Sequence, residues 1–254
     1  MNIYKMHALE NDFVIILNNE LQERYIRQIC DRRSGIGCDQ LLICDTESYN
    51  VQIYNRDGSK AGMCLNGLRC LGYLFYFEEV KNEITFNVYG KTVRTKCMGD
   101  KAVQLLVDIP KIVTNEYDLS SINLPGLIKK EVVDVGNLHL VLLFDQDISK
   151  DALRYSELIK NSGIFNDGVN ISFSHVLDSY FIKTYVDERG AGFTKACGSA
   201  AASIFFVAYT NRMVFNNATV IQEGGDLNMA LCNKNTLLSQ IGETNLVFKG
   251  DLLI

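Results

Sequence analysis

The feature that most constrains this chain is a segment that occurs twice. Around Cys64, Asn55-Arg56-Asp57-Gly58-Ser59 leads through Met63-Cys64-Leu65-Asn66-Gly67 into an apolar run from Leu68 to Phe77. Around Cys197, Glu188-Arg189-Gly190-Ala191-Gly192 leads through Ala196-Cys197-Gly198-Ser199-Ala200 into a run from Ala201 to Tyr209. Laid cysteine on cysteine, both segments continue with small or polar residues and a helix-length apolar stretch, and Tyr76 falls on Tyr209. A loop, a cysteine and a buried helix used twice imply two halves built on one plan, and one explanation for both thiols.

The physical expectation is that each cysteine stands where a loop enters a helix. The first helical turn leaves its backbone N–H groups without intrahelical partners and carries partial positive charge. Such a turn lowers a thiol's pKa and offers N–H donors to a carboxylate. Two such turns facing each other would hold a small carboxylate-bearing molecule between two thiols, which suits moving a proton across a carbon centre. The ordinary alternative for any free cysteine is a small buried hydrophobe.

Composition narrows the rest. A chain of 254 residues, 47% of them hydrophobic, can bury a large core as one big domain or two ordinary ones, and the internal echo favours two. A net charge of −5 without a lysine or arginine block gives no footprint for nucleic acid or anionic membrane. The N-terminus lacks an apolar signal region, and the longest apolar run, Cys197 to Tyr209, is far below the roughly 18 to 20 residues that span a bilayer. A soluble, cytoplasmic protein is expected. The eight cysteines are irregularly spaced with no C-x-x-C pair, which points to free thiols and to no metal site.

Along the chain, residues 2–17 read as strand, polar break at Glu10-Asn11-Asp12, and strand. Leu21, Tyr25, Ile26 and Ile29 mark one helical face, ending near Arg32-Arg33-Ser34-Gly35. Strands are expected at 41–44, 51–54, 84–88, 93–95 and 103–107, with Pro110 closing the first half. The second half repeats the plan with strands at 132–135 and 140–144, a helix over 152–160, and strands at 171–173 and 181–186 before the second cysteine. Strands at 218–221, 227–231 and 246–248 finish it. The expected fold class is α+β with two pseudo-symmetric domains, each a mainly antiparallel, barrel-like sheet around a central helix. The expected boundaries are 1–113 for the N-terminal half, with 241–254 returning to it, and 114–240 for the C-terminal half.

Seven ordered blocks carry a resemblance that spans nearly the whole chain. They are Met6-His7 through Asn11-Asp12-Phe13, Asp31-Arg32 through Gly35-Ile36-Gly37 to Asp39-Gln40, and Asn55 through Asp57-Gly58-Ser59 to Cys64. Asn66-Gly67 with Arg69-Cys70, Gly136-Asn137 with His139, and Asn170 with Phe173 follow, and Glu188 through Gly192 runs on with Thr194 to Ala196-Cys197-Gly198-Ser199. In these blocks the chain resembles diaminopimelate epimerase, a cofactor-independent amino-acid racemase with two catalytic cysteines.

The resemblance implies a substrate cleft between the two halves, no cofactor, and catalytic roles for Cys64 and Cys197, one removing the α-proton as thiolate and the other delivering a proton to the opposite face. It also implies substrate contacts at Asn11, Gln40, Asn55, Asn137, Asn170, Glu188 and Arg189. Arg189 would hold a distal carboxylate bidentately, while Glu188 and the asparagines accept from ammonium groups. Backbone N–H groups at Leu65, Asn66, Gly198 and Ser199 are the natural donors to the reacting carboxylate. His139 either polarises the site or is a hydrogen-bonded structural histidine, and His7 and His175 are read as structural. The implied function is interconversion of LL- and meso-diaminopimelate for lysine and peptidoglycan synthesis. The expected partner is that amino acid, with a homodimer allowed and neither nucleic acid nor membrane involved.

Some positions depart from the pattern. Leu65 stands where the family has glycine, so a bulky side chain is expected beside the substrate carboxylate, strained wherever φ is positive. Phe193 replaces a glutamate, Leu138 a proline, and Ala8 and Glu10 replace glycines. Leu65 and Phe193 motivate an alternative, a racemase of the same fold acting on another amino acid such as histidine or lanthionine. A non-catalytic ligand-binding protein on this fold is the third reading.

Overall fold

The computed structural model describes residues 1–232 and 236–253. The chain divides into two compact units, Met1–Val107 with Ile241–Ile254, and Asp108–Gln240. The first contains β1 (Asn2–Ala8), β2 (Asn11–Leu17), α1 (Glu23–Cys30), β3 (Gln40–Cys44), β4 (Val51–Asn55), α2 (Leu65–Glu79), β5 (Glu83–Val88), β6 (Lys91–Cys97) and β7 (Ala102–Asp108). The second contains β8 (Lys111–Ile112), β9 (Leu127–Asp134), β10 (Leu138–Phe144), α3 (Ala152–Lys160), β11 (Asn170–Val176), β12 (Phe181–Glu188), β13 (Gly192–Thr194), α4 (Gly198–Thr210), β14 (Asn217–Gln222) and β15 (Gly225–Cys232). The unit boundary falls inside β16 (Leu237–Glu243), and β17 (Asn245–Asp251) ends the chain in the first unit. Sequence reading puts the first crossing after residue 113, whereas the chain's own packing puts it after Val107. The reason is β8, which pairs with β9 of the second unit.

The first unit's sheet runs β17-β1-β2-β3-β4. β2 and β3 are parallel, so the chain must cross over between them, and α1 is that crossover. Both faces of these strands are covered, which explains the unbroken apolar run Phe13-Val14-Ile15-Ile16. Tyr4, Met6, Phe13, Ile15, Leu42 and Ile53 face α2, while Ile3, Val14, Ile16, Leu41 and Ile43 face Ile26 and Ile29 of α1. The other side of α2 meets Ile84, Phe86, Val93 and Leu105 from the antiparallel β5–β6–β7 meander. A helix buried all round needs apolar residues all round, and the segment after Cys64 supplies them.

The second unit repeats this plan. β10 and β11 are parallel with α3 as their crossover, and β12 returns antiparallel, just as β4 does. Leu140, Leu142, Phe144, Ile171 and Phe173 pack on Tyr155 and Ile159 of α3. Val141 and Leu143 point to the opposite face by strand alternation, the face on which α4 packs. The sheet continues through β14 and β15 on one side and β9 and β8 on the other.

The helix expected over 152–160 forms over those residues. The polar break near Asn11 is shorter than expected: Asn11 and Asp12 already belong to β2, and only Leu9 and Glu10 form the turn, both with positive φ (54° and 65°). Ala8 pairs directly with Asn11, so two residues must reverse the chain, and that geometry demands left-handed backbone. β13 forms inside a stretch read from sequence as loop. Gly190 and Gly192, at φ 81° and 80°, reverse the chain tightly enough for Phe193 to pair with Asp187. No atom lies within 4 Å of a Cβ built at either glycine, so conformation rather than space selects glycine there.

Candidate active site

In both units the polar residues singled out from sequence gather at one end of the sheet, where a cysteine starts a helix. In the first unit they are Asn11 at the start of β2, Gln40 at the start of β3 and Asn55 at the end of β4. The parallel-then-antiparallel ladder puts Phe13, Gln40 and Asn55 in register, so these ends lie side by side. Gln40 Nε2 donates to Asn55 Oδ1 at 2.9 Å, and Asn55 Nδ2 donates to Ser59 Oγ at 3.0 Å.

Cys64 is the N-cap of α2. Its backbone is extended (φ −147°, ψ 98°), and its sulfur accepts the Gly67 N–H at 3.3 Å, taking up one of the helix's unpartnered first-turn donors. Half-buried Cys64 thus has a sulfur placed on the positive end of a helix and hydrogen-bonded by it, both of which stabilise negative charge. Asn66 follows in the first turn, 2% exposed, and donates through Nδ2 to Asn11 Oδ1 at 3.2 Å. Leu65 departs from expectation. It is not among the residues with positive φ, and its side chain is 7% exposed and packed in the core beneath the sheet. As the first residue of α2 it packs its side chain into the core.

A charged set behind Asn11 was not foreseen. Asn11 Nδ2 donates to Asp39 Oδ2 at 3.0 Å, and Arg32 bridges Asp39 and Asp12 at 2.7 and 2.6 Å. Lys5 adds an ion pair to Asp12 at 2.5 Å. Burial alone would raise the Asp12 carboxyl, but hydrogen bonds from Arg32 and Lys5 hold it well below the usual carboxylate range.

The second unit presents the same layout. Asn137 immediately precedes β10, Asn170 opens β11 in register with His139, and Glu188 closes β12. Asn170 is 6% exposed and spends both ends on backbone, donating to the Leu138 carbonyl at 3.0 Å and accepting the Arg189 N–H at 3.0 Å. It therefore ties the three strand ends together. Arg189 is exposed, and its guanidinium donates to the Asp167 carbonyl at 3.2 Å.

Cys197 caps α4 with the same extended backbone (φ −131°, ψ 114°). Its own N–H donates to Gln222 Oε1 at 2.7 Å, and its sulfur lies 3.4 Å from Ser199 Oγ. Ser199 Oγ is in turn 3.1 Å from His139 Nε2, which also lies 3.3 Å from Asn137 Oδ1. Gly198, the first residue of α4, is fixed by Gln240, whose Nε2 donates to the Gly198 carbonyl at 2.8 Å. Glu188 hydrogen-bonds the Cys197 thiol and accepts the Thr194 hydroxyl.

This thiol does not follow the helix-start expectation. Burial first, and the Glu188 carboxylate second, push its pKa well above an ordinary thiol's 9.0, outweighing the opposing pull of Ser199 and the Ala200 N–H. The two cysteines therefore differ in character: one sulfur is set up for charge, and the other holds its proton beside a carboxylate. His139 is fully buried, and burial pushes its pKa down to about 3, so the imidazole is neutral at ordinary pH. Phe193 stacks on the core residue Phe173, with ring centres 6.2 Å apart. It lies on the opposite face of β13 from Thr194, so its ring points away from the Thr194–Glu188 pair.

Sequence reading missed Gln222, Gln240, the Arg32–Asp39–Asp12–Lys5 set, and the contact of Glu188 with the Cys197 thiol. No group of three or more His, Cys, Asp or Glu side chains placed to hold a metal ion occurs among the described residues. Nor is any described helix long and apolar enough to cross a membrane.

A family model described as diaminopimelate epimerase matches residues 3–113 and 131–247. A diaminopimelate epimerase of Rickettsia felis is 34% identical, covering 99% of this chain and 97% of its own length. One from Pelagibacter ubique is 33% identical over 92% of each chain. Among solved structures, a phenazine biosynthesis protein of the PhzF family from Enterococcus faecalis superposes with a TM-score of 0.71 over 100% of this chain and 99% of its own, at 14% identity. A hydroxyproline epimerase from Agrobacterium vitis, with bound trans-4-hydroxy-L-proline, gives a TM-score of 0.73 over 98% of this chain and 91% of its own, at 12% identity. At such low identity these structures speak for the fold alone.

Proposed function

Because the chain belongs to the diaminopimelate epimerase family, we propose that Cys64 and Cys197 are the two bases of a cofactor-independent epimerisation that interconverts LL- and meso-diaminopimelate. The observation that carries this reading is the repeated placement of a cysteine as the N-cap of a buried helix, among polar side chains at the sheet's end.

The chemistry follows from the difference between the thiols. An α-proton beside a carboxylate is very weakly acidic, so its removal needs a well-placed base and donors aimed at the charge that develops. Cys64, stabilised as an anion by the α2 N-terminus, takes the proton from one face of the α-carbon. Cys197, which holds its proton, delivers it to the other face. The C–H bond breaks as the S–H bond forms at Cys64, and the carbon's electron pair then takes the proton from Cys197. In the reverse direction Cys197 must first lose its proton, and Glu188, hydrogen-bonded to it, is the acceptor. The N–H groups of Leu65, Asn66, Gly198 and Ser199 meet the reacting carboxylate, and each such donor is worth roughly 3 to 4 kcal/mol in the transition state.

Asn11, Gln40, Asn55 and Asn137 contact the substrate's polar groups, and Arg189 the distal carboxylate. Asn170 acts by holding Arg189's backbone in place. His139, neutral and buried, positions Ser199 and Asn137 rather than supplying charge. Eight cysteines, all of them free, support work in the reducing cytoplasm.

The test is conversion of LL-diaminopimelate followed by chiral chromatography without added cofactor. Cys64→Ala and Cys197→Ala are each expected to lose at least about 100-fold in turnover. Wild-type protein that leaves diaminopimelate unchanged, or either variant retaining a tenth of the activity, would overturn the assignment.

A further inference from the structure

Arg69 lies in the second turn of α2 with no exposure to solvent, in a helix whose other buried residues, Asn66 apart, are apolar or small. Arginine is almost never fully buried unless it is paired. Its guanidinium donates through Nη2 to Asn66 Oδ1, three residues back on the same helix face.

That bond begins a chain of donors with one direction. Asn66 Nδ2 donates to Asn11 Oδ1, Asn11 Nδ2 donates to Asp39 Oδ2, and Asp39 ends at the Arg32 guanidinium. An amide side chain can turn end for end at little cost unless its partners distinguish oxygen from nitrogen. Arg69, which has only donors, fixes the oxygen end of Asn66, and Asp39, an acceptor, fixes the nitrogen end of Asn11. Both asparagines are thereby held in a single orientation by a cation at one end of the chain and an anion at the other.

The guanidinium is also held at the start of the helix that Cys64 caps, since its partner Asn66 lies two residues after that cysteine in the first turn. Burial lowers Arg69's hold on its proton to about 10, and the two ionisable groups that oppose this are the thiols of Cys70 and Cys64. Cys70 is buried in the core, and burial pushes its thiol well up, so it stays neutral. Cys64 is therefore the thiol of the two that can carry the matching charge.

We propose that Arg69 is a positioning residue for proton transfer at Cys64: its guanidinium orients the Asn66 and Asn11 amides and sets a fixed positive charge within reach of the Cys64 sulfur. This rests on the reading of Cys64 as a base, and the test separates the two.

The test follows iodoacetamide alkylation of Cys64 against pH in a Cys197→Ser background. Arg69→Met is expected to raise the alkylation midpoint by about one pH unit. Arg69→Lys, which keeps the charge and loses the planar fork, is expected to leave the midpoint within a few tenths of a unit while kcat/KM falls about tenfold. A structural role alone would lower activity in step with Tm and leave the midpoint of Arg69→Met where it was, and that result overturns the proposal. Should Arg69→Met fail to fold, the guanidinium 15N signals of Arg69 in the otherwise wild-type protein decide. They should titrate with the Cys64 midpoint and stay flat in Cys64→Ser, whereas flat signals with Cys64 present overturn the proposal. The kcat/KM comparison uses protein that retains Cys197, whereas the alkylation midpoint and the 15N signals require no turnover, so a protein that failed to epimerise diaminopimelate would refute the function while leaving the role of Arg69 open to those two measurements.

Discussion

Replacing Glu188 with glutamine should make the Cys197 thiol easier to ionise and the enzyme slower. The substitution keeps an oxygen for the Thr194 hydroxyl and removes one negative charge from beside the sulfur. Two like unit charges about 4 Å apart repel by roughly 4 kcal/mol at an effective dielectric of about 20, equivalent to about three pH units. Side-chain relaxation reduces this, so the expected fall is about one to three units. The sign follows from which form is relieved: the thiolate suffers the repulsion and the neutral thiol does not, so removing Glu188's charge favours the thiolate and lowers the midpoint. Burial, the larger cause of the raised value, remains and still opposes ionisation. The assay is iodoacetamide alkylation of Cys197 against pH in a Cys64→Ser background, read by mass spectrometry. In the otherwise wild-type enzyme, turnover in the meso-to-LL direction, in which Cys197 must first lose its proton, should drop by about 100-fold to 10,000-fold, because the acceptor for the thiol's proton is gone. An unchanged or raised midpoint in Glu188→Gln would refute the coupling, and full turnover would refute the role.

Leu65→Ala should destabilise the protein by about 2 to 3 kcal/mol, measured by urea unfolding, with KM for diaminopimelate unchanged, because the side chain fills core rather than facing substrate. A large change in KM would return Leu65 to the specificity-determining role suggested by sequence. Glu10→Gly should stabilise by about 0.5 to 1 kcal/mol in the same assay, since φ at Glu10 is 65° and glycine adopts that backbone without strain. His139 has a folded-state pKa near 3 against 6.5 in the unfolded chain. The unfolded chain therefore binds the extra proton, and stability should decline as pH falls below 6.5, by up to about 1.4 kcal/mol per unit until about pH 3. His139→Gln should flatten that part of the stability profile, and a profile identical to wild type would contradict the burial argument.

The elements most legible in the sequence were those whose pattern is local. The face of α1 follows from side-chain periodicity, and the apolar run of β2 and the span of α3 from their local residues. The two helix starts were legible because the chain carries the motif twice, and the structure extends that echo to whole units, β2–α1–β3–β4–α2 against β10–α3–β11–β12–α4. What sequence could not show depends on partners distant along the chain. Gln222 reaches Cys197 across 25 residues and Gln240 reaches Gly198 across 42, and neither position has a local signature. Where Leu65 points depends on the direction of its side chain at the start of a helix, and where Phe193 points on a three-residue strand too short to recognise in the sequence. The expected low pKa at Cys197 failed for a related reason: a helix start favours the thiolate, but burial and a carboxylate brought from β12 oppose it more strongly.

The central claim is that two bases act on opposite faces of one α-carbon, and it is tested most directly by the fate of the α-hydrogen. LL-diaminopimelate converted in D2O and quenched early should yield meso product carrying one solvent deuterium at the inverted carbon, while the recovered LL substrate stays unlabelled. Deuterium appearing in the recovered substrate as fast as in the product, or product retaining its original proton, would mean that a single base serves both faces and would contradict the assignment of Cys64 and Cys197.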